Sequence, residues 1–67
     1  MRFSVPPNHR VVADRGPDHE KEFLIEAVVH KQSYAPAWGS NKKEAEQRAA
    51  ANALAELEGN EPPFSNE

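Results

Sequence analysis

Lys42 and Lys43 open a stretch, Asn41 to Glu58, in which six alanines and two leucines give strong helix propensity. Both lysines fall in its first turn, where the helix dipole disfavours a cation by roughly 0.3–1 kcal/mol. Glu56 and Glu58 sit in the last turn, equally against the dipole. A helix tuned for stability alone would reverse both ends. Free backbone N–H groups, a partial positive charge, the Asn41 side chain and two ammonium groups converge at this N-terminus. That chemistry holds an anion, and phosphate is the usual one. The competing reading, two lysines that merely solvate a helix end, is the commoner case on physics alone.

The other residues able to do chemistry are scattered. His9, His19 and His30 fall on separate segments, and no HExxH spacing pairs them for a metal. Asp14 and Asp18 flank a turn, where carboxylates usually serve the turn itself. No serine occupies a nucleophile motif, no glycine-rich phosphate loop is present, and there is no cysteine for a disulfide or a thiolate zinc site. The expectation is a protein that is not an enzyme and needs no metal or other cofactor. A net charge of −3 argues against a generic nucleic-acid binder, so any polyanion contact must be local. No apolar run has the length of a membrane span and no signal-peptide core is visible, so the expected setting is soluble and cytoplasmic, away from membranes.

The elements that must position these groups follow from periodicity. Ala45, Ala49, Ala50, Ala53, Leu54 and Leu57 recur at helical spacing and mark the buried face. Asn41 with Glu44 three residues on forms a capping box, and Gly59 stands where a left-handed C-terminal residue belongs. Glu22 to His30 alternates, with Phe23, Ile25, Ala27 and Val29 on the core side. Asn8 to Ala13 reads as a first strand, with His9, Val11 and Ala13 on one side and Arg10 and Val12 on the other. A turn over Asp14–His19 joins the two. Lys31-Gln32-Ser33 makes a short connection to a third strand, Tyr34 to Trp38, which Pro36 confines to a sheet edge.

The expected fold class is α+β: a three-stranded antiparallel meander in order 1-2-3, with one C-terminal helix packed on one face. The 67 residues make one small domain with a thin core. Residues 1–6 form an extended head, 7–59 the domain, and 60–67 a disordered tail. Tyr34 reads as a sheet-packing residue, Trp38 as either core or exposed patch, and Arg48 as a solvated charge.

Gly16-Pro17-Asp18-His19, then Phe23 heading a strand, then Gly39-x-x-Lys42-Lys43-x-Ala45-Glu46-Gln47-x-Ala49-Ala50 together resemble a double-stranded RNA-binding domain, of the kind that ends bacterial ribonuclease III. The resemblance covers about residues 7–58. It implies a helix, a three-stranded antiparallel sheet and a second helix, which reads the shape of about 16 base pairs through two minor grooves and the phosphates between them. By position, His19 and the Gly16–Pro17 backbone would meet ribose 2′-hydroxyls. Asn41 would cap the helix and touch phosphate, Lys42 and Lys43 would bridge the major groove, and Gln47 or Arg48 would be peripheral contacts. A phosphate then explains why the lysines oppose the dipole.

The sequence also departs from the family pattern. The family's first helix would precede residue 7, where six residues stand, so a β-β-β-α domain without that helix is expected. Ala35 and Ala37 replace frequent glycines around Pro36, Trp38 is bulkier than usual, and His9 stands where a tyrosine is frequent. The ribonuclease catalytic domain with its carboxylate metal site has no counterpart. Two functional readings result. The first is non-catalytic, weak binding of double-stranded RNA by shape and phosphate contacts. The second is a homodimer-forming protein–protein module of the same descent that has lost RNA binding, its uncovered sheet surface serving as the interface.

Overall fold

A computed structural model describes residues 8–64. The expected head over 1–6, with Phe3 and Val5, and the end of the expected tail, 65–67, lie outside the described residues. The elements are β1 (Asn8–Arg15), β2 (Glu22–Val29), β3 (Gln32–Ser33), β4 (Ala37–Gly39) and α1 (Lys42–Leu57). β2 is the centre. It pairs antiparallel with β1 on one side and with both β3 and β4 on the other. The third strand is thus split in two, and the split falls at Pro36, which has no N–H to give a ladder. The expected antiparallel meander with one C-terminal helix is the architecture found.

The helix replaces what the ladder loses at the split. Ala35 N–H donates to Glu56 Oε2 at 2.8 Å, and Asn52 Nδ2 donates to the Ala35 carbonyl at 3.0 Å. Tyr34 N–H still reaches the Ala27 carbonyl at 3.0 Å, and its side chain packs against the core. Glu56 therefore opposes the helix dipole because it has a main-chain donor to satisfy.

Ile25 and Ala27 from β2 meet Ala45, Ala49 and Ala53 from α1 in the core, with Phe23 packed at its margin. Alanine on the helix lets two backbones approach closely, and Gly39 takes the approach furthest. A Cβ built on Gly39 would lie 2.3 Å from Ala45 N, so no larger residue fits there. Leu57, expected in the core, is 50% exposed and lies outside the buried cluster that Ala45, Ala49 and Ala53 make with β2.

β1 departs most from expectation. It runs on to Arg15, and a bulge at Val12 shifts the register between Val11 and Ala13. His9 and Val11 pair with Ala27 and Ile25 on the helix side, while Ala13 pairs with Leu24 and so joins Arg10 on the far face. The expected grouping of His9, Val11 and Ala13 on one side is thereby corrected. All eight residues of β1 are exposed.

The turn between β2 and β3 is His30-Lys31, not the expected Lys31-Gln32-Ser33. Val29 pairs directly with Gln32, and φ is +51° at His30 and +65° at Lys31. Positive φ at both central residues is the two-residue hairpin geometry that matches strand twist, here made without glycine. α1 ends as the sequence requires. Gly59 has φ +80°, its N–H bonds the Glu56 carbonyl, and Asn60 N–H bonds the Ala55 carbonyl, which is a Schellman closure.

Candidate functional site

The N-terminus of α1 is built as the capping residues predict, with one change. Asn41 Oδ1 accepts the Glu44 N–H at 2.8 Å. Glu44 reaches back one residue further than a standard capping box, taking the Ser40 N–H at 3.0 Å and the Ser40 hydroxyl at 3.3 Å. The Ser40 N–H first, with the Arg48 charge as a smaller cause, holds the Glu44 carboxyl below its ordinary 4.5. Lys42 and Lys43 are exposed on this fixed turn. Lys42 Nζ stands 5.5 Å from the centroid of the Phe23 ring, within cation–π range. Phe23 was expected only as a core residue. Its alternation in β2 places it inward, and no spacing in the sequence shows that Lys42 comes to lie over it.

The loop between β1 and β2 forms the other half of the site. Gly16 has φ +96°, and a Cβ there would stand 2.7 Å from the Glu20 carbonyl oxygen, so glycine is required. Pro17 caps a single 3₁₀ turn over Asp18–Glu20, closed by Glu20 N–H to the Pro17 carbonyl at 2.8 Å. His19 projects from that turn, exposed. A groove lined by His19, Lys21, Phe23 and Ser40 joins this loop to the residue before the helix cap. The structure therefore brings His19 and the Gly16–Pro17 turn to the same end of the molecule as Asn41, Lys42 and Lys43. Gln47 lies further along the helix, exposed and away from that groove.

The electrostatics of the two halves differ. Asp18, Glu20 and Glu22 line the loop side of the groove, with Lys21 Nζ 3.9 Å from both Asp14 Oδ1 and Asp18 Oδ1. That side suits neutral hydroxyl partners reached by the backbone and His19. The lysine side suits phosphate. Arg48, read from sequence as a solvated charge or peripheral contact, is instead engaged within the fold. Its Nη1 donates to the Trp38 carbonyl at 3.1 Å, and its Nη2 lies 3.5 Å from Glu44 Oε1. Trp38 resolves as half-buried on the sheet face away from the helix, with the Arg15 guanidinium 4.0 Å over its ring. Arg15 Nε in turn donates to Glu22 Oε1 at 2.8 Å. Among the described residues no group of three or more His, Cys, Asp or Glu could hold a metal ion. Among them, too, no helix is long and apolar enough to cross a membrane.

Comparison with known proteins gives matches over the same residues. The sequence model described as double-stranded RNA binding motif matches residues 1–57. A ribonuclease 3 of Rhodopirellula baltica is 53% identical over 65 residues, covering 97% of this chain and 24% of that protein. A ribonuclease 3 of Helicobacter acinonychis is 43% identical over 58 residues, covering 87% of this chain and 25% of that protein. One of Oceanobacillus iheyensis is 48% identical over 46 residues, covering 69% and 20% respectively. The chain spans about a quarter of the length of these relatives.

Proposed function

The chain belongs to the double-stranded RNA binding motif family, and from that premise we propose that it binds double-stranded RNA by shape and phosphate contacts, without catalysing a reaction. The observation that carries the proposal is the groove that runs from His19, in the loop after Gly16–Pro17, to Ser40, the residue before the Asn41 cap on which Lys42 and Lys43 follow. An A-form duplex offers 2′-hydroxyls in a wide minor groove and phosphates across the adjacent major groove. The loop, acidic in its side chains, reads the hydroxyls through main chain and His19. The lysines take the phosphates, and Gln47 is a peripheral contact. A cytoplasmic setting is part of the same proposal.

A titration of matched RNA and DNA duplexes tests this. RNA is expected to bind more tightly, with modest affinity that falls with salt. Two or three phosphate contacts give a log–log slope of about −2 to −3, at roughly 0.9 per phosphate. Equal affinity for both duplexes, or no binding to RNA at low salt, rules the proposal out.

A second reading, self-association as a two-fold dimer, has one observation in its favour. Val11 and Val12 are 47% and 48% exposed on β1, which is also the outer strand of the described sheet. The third-strand edge at Tyr34–Trp38 is a poorer candidate, since the Ala35 N–H and the carbonyls of Ala35 and Trp38 are already bonded to helix side chains. Sedimentation at tens of micromolar separates the two: a clean monomer of 7.5 kDa excludes the dimer.

A further inference from the structure

Glu44, Arg48, Asn52 and Glu56 stand four residues apart on α1 and so share one stripe of the helix surface. Each of them bonds main chain. Glu44 accepts from Ser40 N–H, Arg48 donates to the Trp38 carbonyl, Asn52 donates to the Ala35 carbonyl, and Glu56 accepts from Ala35 N–H. The stripe is thus a reader of polypeptide backbone.

Asn52 reads a second segment as well. Its Oδ1 accepts the Phe64 N–H at 2.9 Å and its Nδ2 donates to the Phe64 carbonyl at 3.0 Å. An amide that takes both main-chain groups of one residue fixes the position and direction of that chain together. One turn earlier, the Arg48 guanidinium lies 5.2 Å from the centroid of the Phe64 ring, a cation–π contact. Asn52 is fully buried, and no buried side-chain polar atom among the described residues lacks a partner. A buried amide oxygen without a donor is costly, so the Phe64 N–H completes this site. Pro62 and Pro63 stiffen the approach, and a stiff segment has little freedom to lose on docking.

We propose that the Arg48–Asn52 face of α1 is a docking site for a proline-stiffened polypeptide segment bearing an aromatic residue, occupied in cis by this chain's own residues 60–64. The tail is then a strap across the helix, and the domain is complete only at Phe64.

Nuclear magnetic resonance on the full chain tests this. The Asn52 side-chain amide protons are expected to exchange with solvent at least about tenfold more slowly than those of exposed Asn60, because exchange there requires local opening. A cross-relaxation contact between the Phe64 ring and the Arg48 side chain is expected as well. Phe64→Pro removes the N–H that Asn52 accepts and should raise the Asn52 exchange rate severalfold, the Nδ2 bond to the Ala35 carbonyl keeping it below the exposed rate, with helix content unchanged. Phe64→Ala keeps both backbone bonds, removes the ring from Arg48, and should raise the exchange rate by less. If Phe64→Pro unfolds the chain, the Phe64→Ala comparison and the wild-type contact carry the test. Three results overturn the proposal: an Asn52 amide that exchanges as fast as Asn60 in the wild type, unchanged protection in a folded Phe64→Pro variant, or Phe64–Arg48 contacts that prove intermolecular in a mixed-isotope sample.

Discussion

Replacing Lys42 and Lys43 together by glutamate separates binding from folding. Each replacement exchanges a cation that the helix dipole disfavours by roughly 0.3–1 kcal/mol for an anion that it favours by a similar amount. Against this stand the Lys42–Phe23 contact, worth about 0.5–1 kcal/mol at an exposed site, and a new like-charge pair with Glu46, which costs about 0.2–0.5 kcal/mol. The net charge also becomes more negative by four units from −3, and the added self-repulsion destabilises the compact chain. Before that repulsion the local terms sum to about 0 to +3 kcal/mol, so the double variant should be no less stable than the parent. For a domain of this size each 1 kcal/mol raises the melting midpoint by about 4–8 °C. Binding changes far more. Two hydrogen bonds to a charged partner, at about 1.5–3 kcal/mol each, correspond to a loss of about a hundredfold or more in affinity. The salt slope should fall by nearly two units, at about 0.9 per phosphate. Thermal melting by circular dichroism and an anisotropy titration at several salt concentrations read the two quantities. A midpoint lowered by about 10 °C or more would make the lysines structural. Affinity retained within about tenfold would place the phosphate contacts elsewhere. Either result refutes the reasoning.

Three further outcomes follow from the geometry. The double change His30→Asn with Lys31→Gly supplies the residues that a two-residue hairpin with positive φ favours, and should stabilise the chain by about 1 kcal/mol. RNA affinity should not change, since that turn closes the end of β2 opposite the Gly16 loop. Gly39→Ala forces a methyl against the Ala45 backbone and should cost at least about 1–3 kcal/mol in denaturant unfolding, with weakened RNA binding because the helix start is displaced. The lowered Glu44 pKa gives a stabilising contribution that is present above its ordinary 4.5 and lost as the pH falls through the lower folded value. Glu44→Gln should remove that acid-side loss, seen as a flatter melting midpoint against pH below that value.

Periodicity and punctuation carried most of the architecture. The alternation from Glu22 to Val29, the alanine stripe, the Asn41 cap and Gly59 each has a local cause, and local causes are visible in a linear sequence. What stayed hidden depends on contacts between segments distant in the chain. Val12 as a bulge follows from how β1 registers on β2, and no residue at that position announces it. His30-Lys31 escapes because neither residue is glycine, and the pairing of Val29 with Gln32 imposes the positive φ. The division of the third strand was half legible. Pro36 signalled an interrupted ladder, but not that Asn52 and Glu56, 16 and 20 residues on, would take its neighbours' main-chain groups. The candidate site was legible as residue types and as a resemblance. The groove between the loop and Ser40, next to the helix cap, came only from the fold.

The charges set against the helix dipole show how one anomaly divides into two meanings. At the C-terminal end, Glu56 has a partner inside the molecule: its carboxylate holds the Ala35 N–H that the Pro36 interruption leaves unpaired. The dipole cost is met within the fold, and no ligand needs to be invoked. At the N-terminal end, Lys42 lies over the face of the Phe23 ring, and Lys43 is exposed beside it. A ring face holds an ammonium in place without neutralising it. The same turn is rigidly capped through Asn41, Glu44 and Ser40, so the two charges stand on a fixed base. A cation that is costly where it stands, positioned by its neighbours and left charged, is arranged for an anion from outside. That contrast between the two ends, more than the count of basic residues, is why a chain of net charge −3 still reads as a binder of a polyanion.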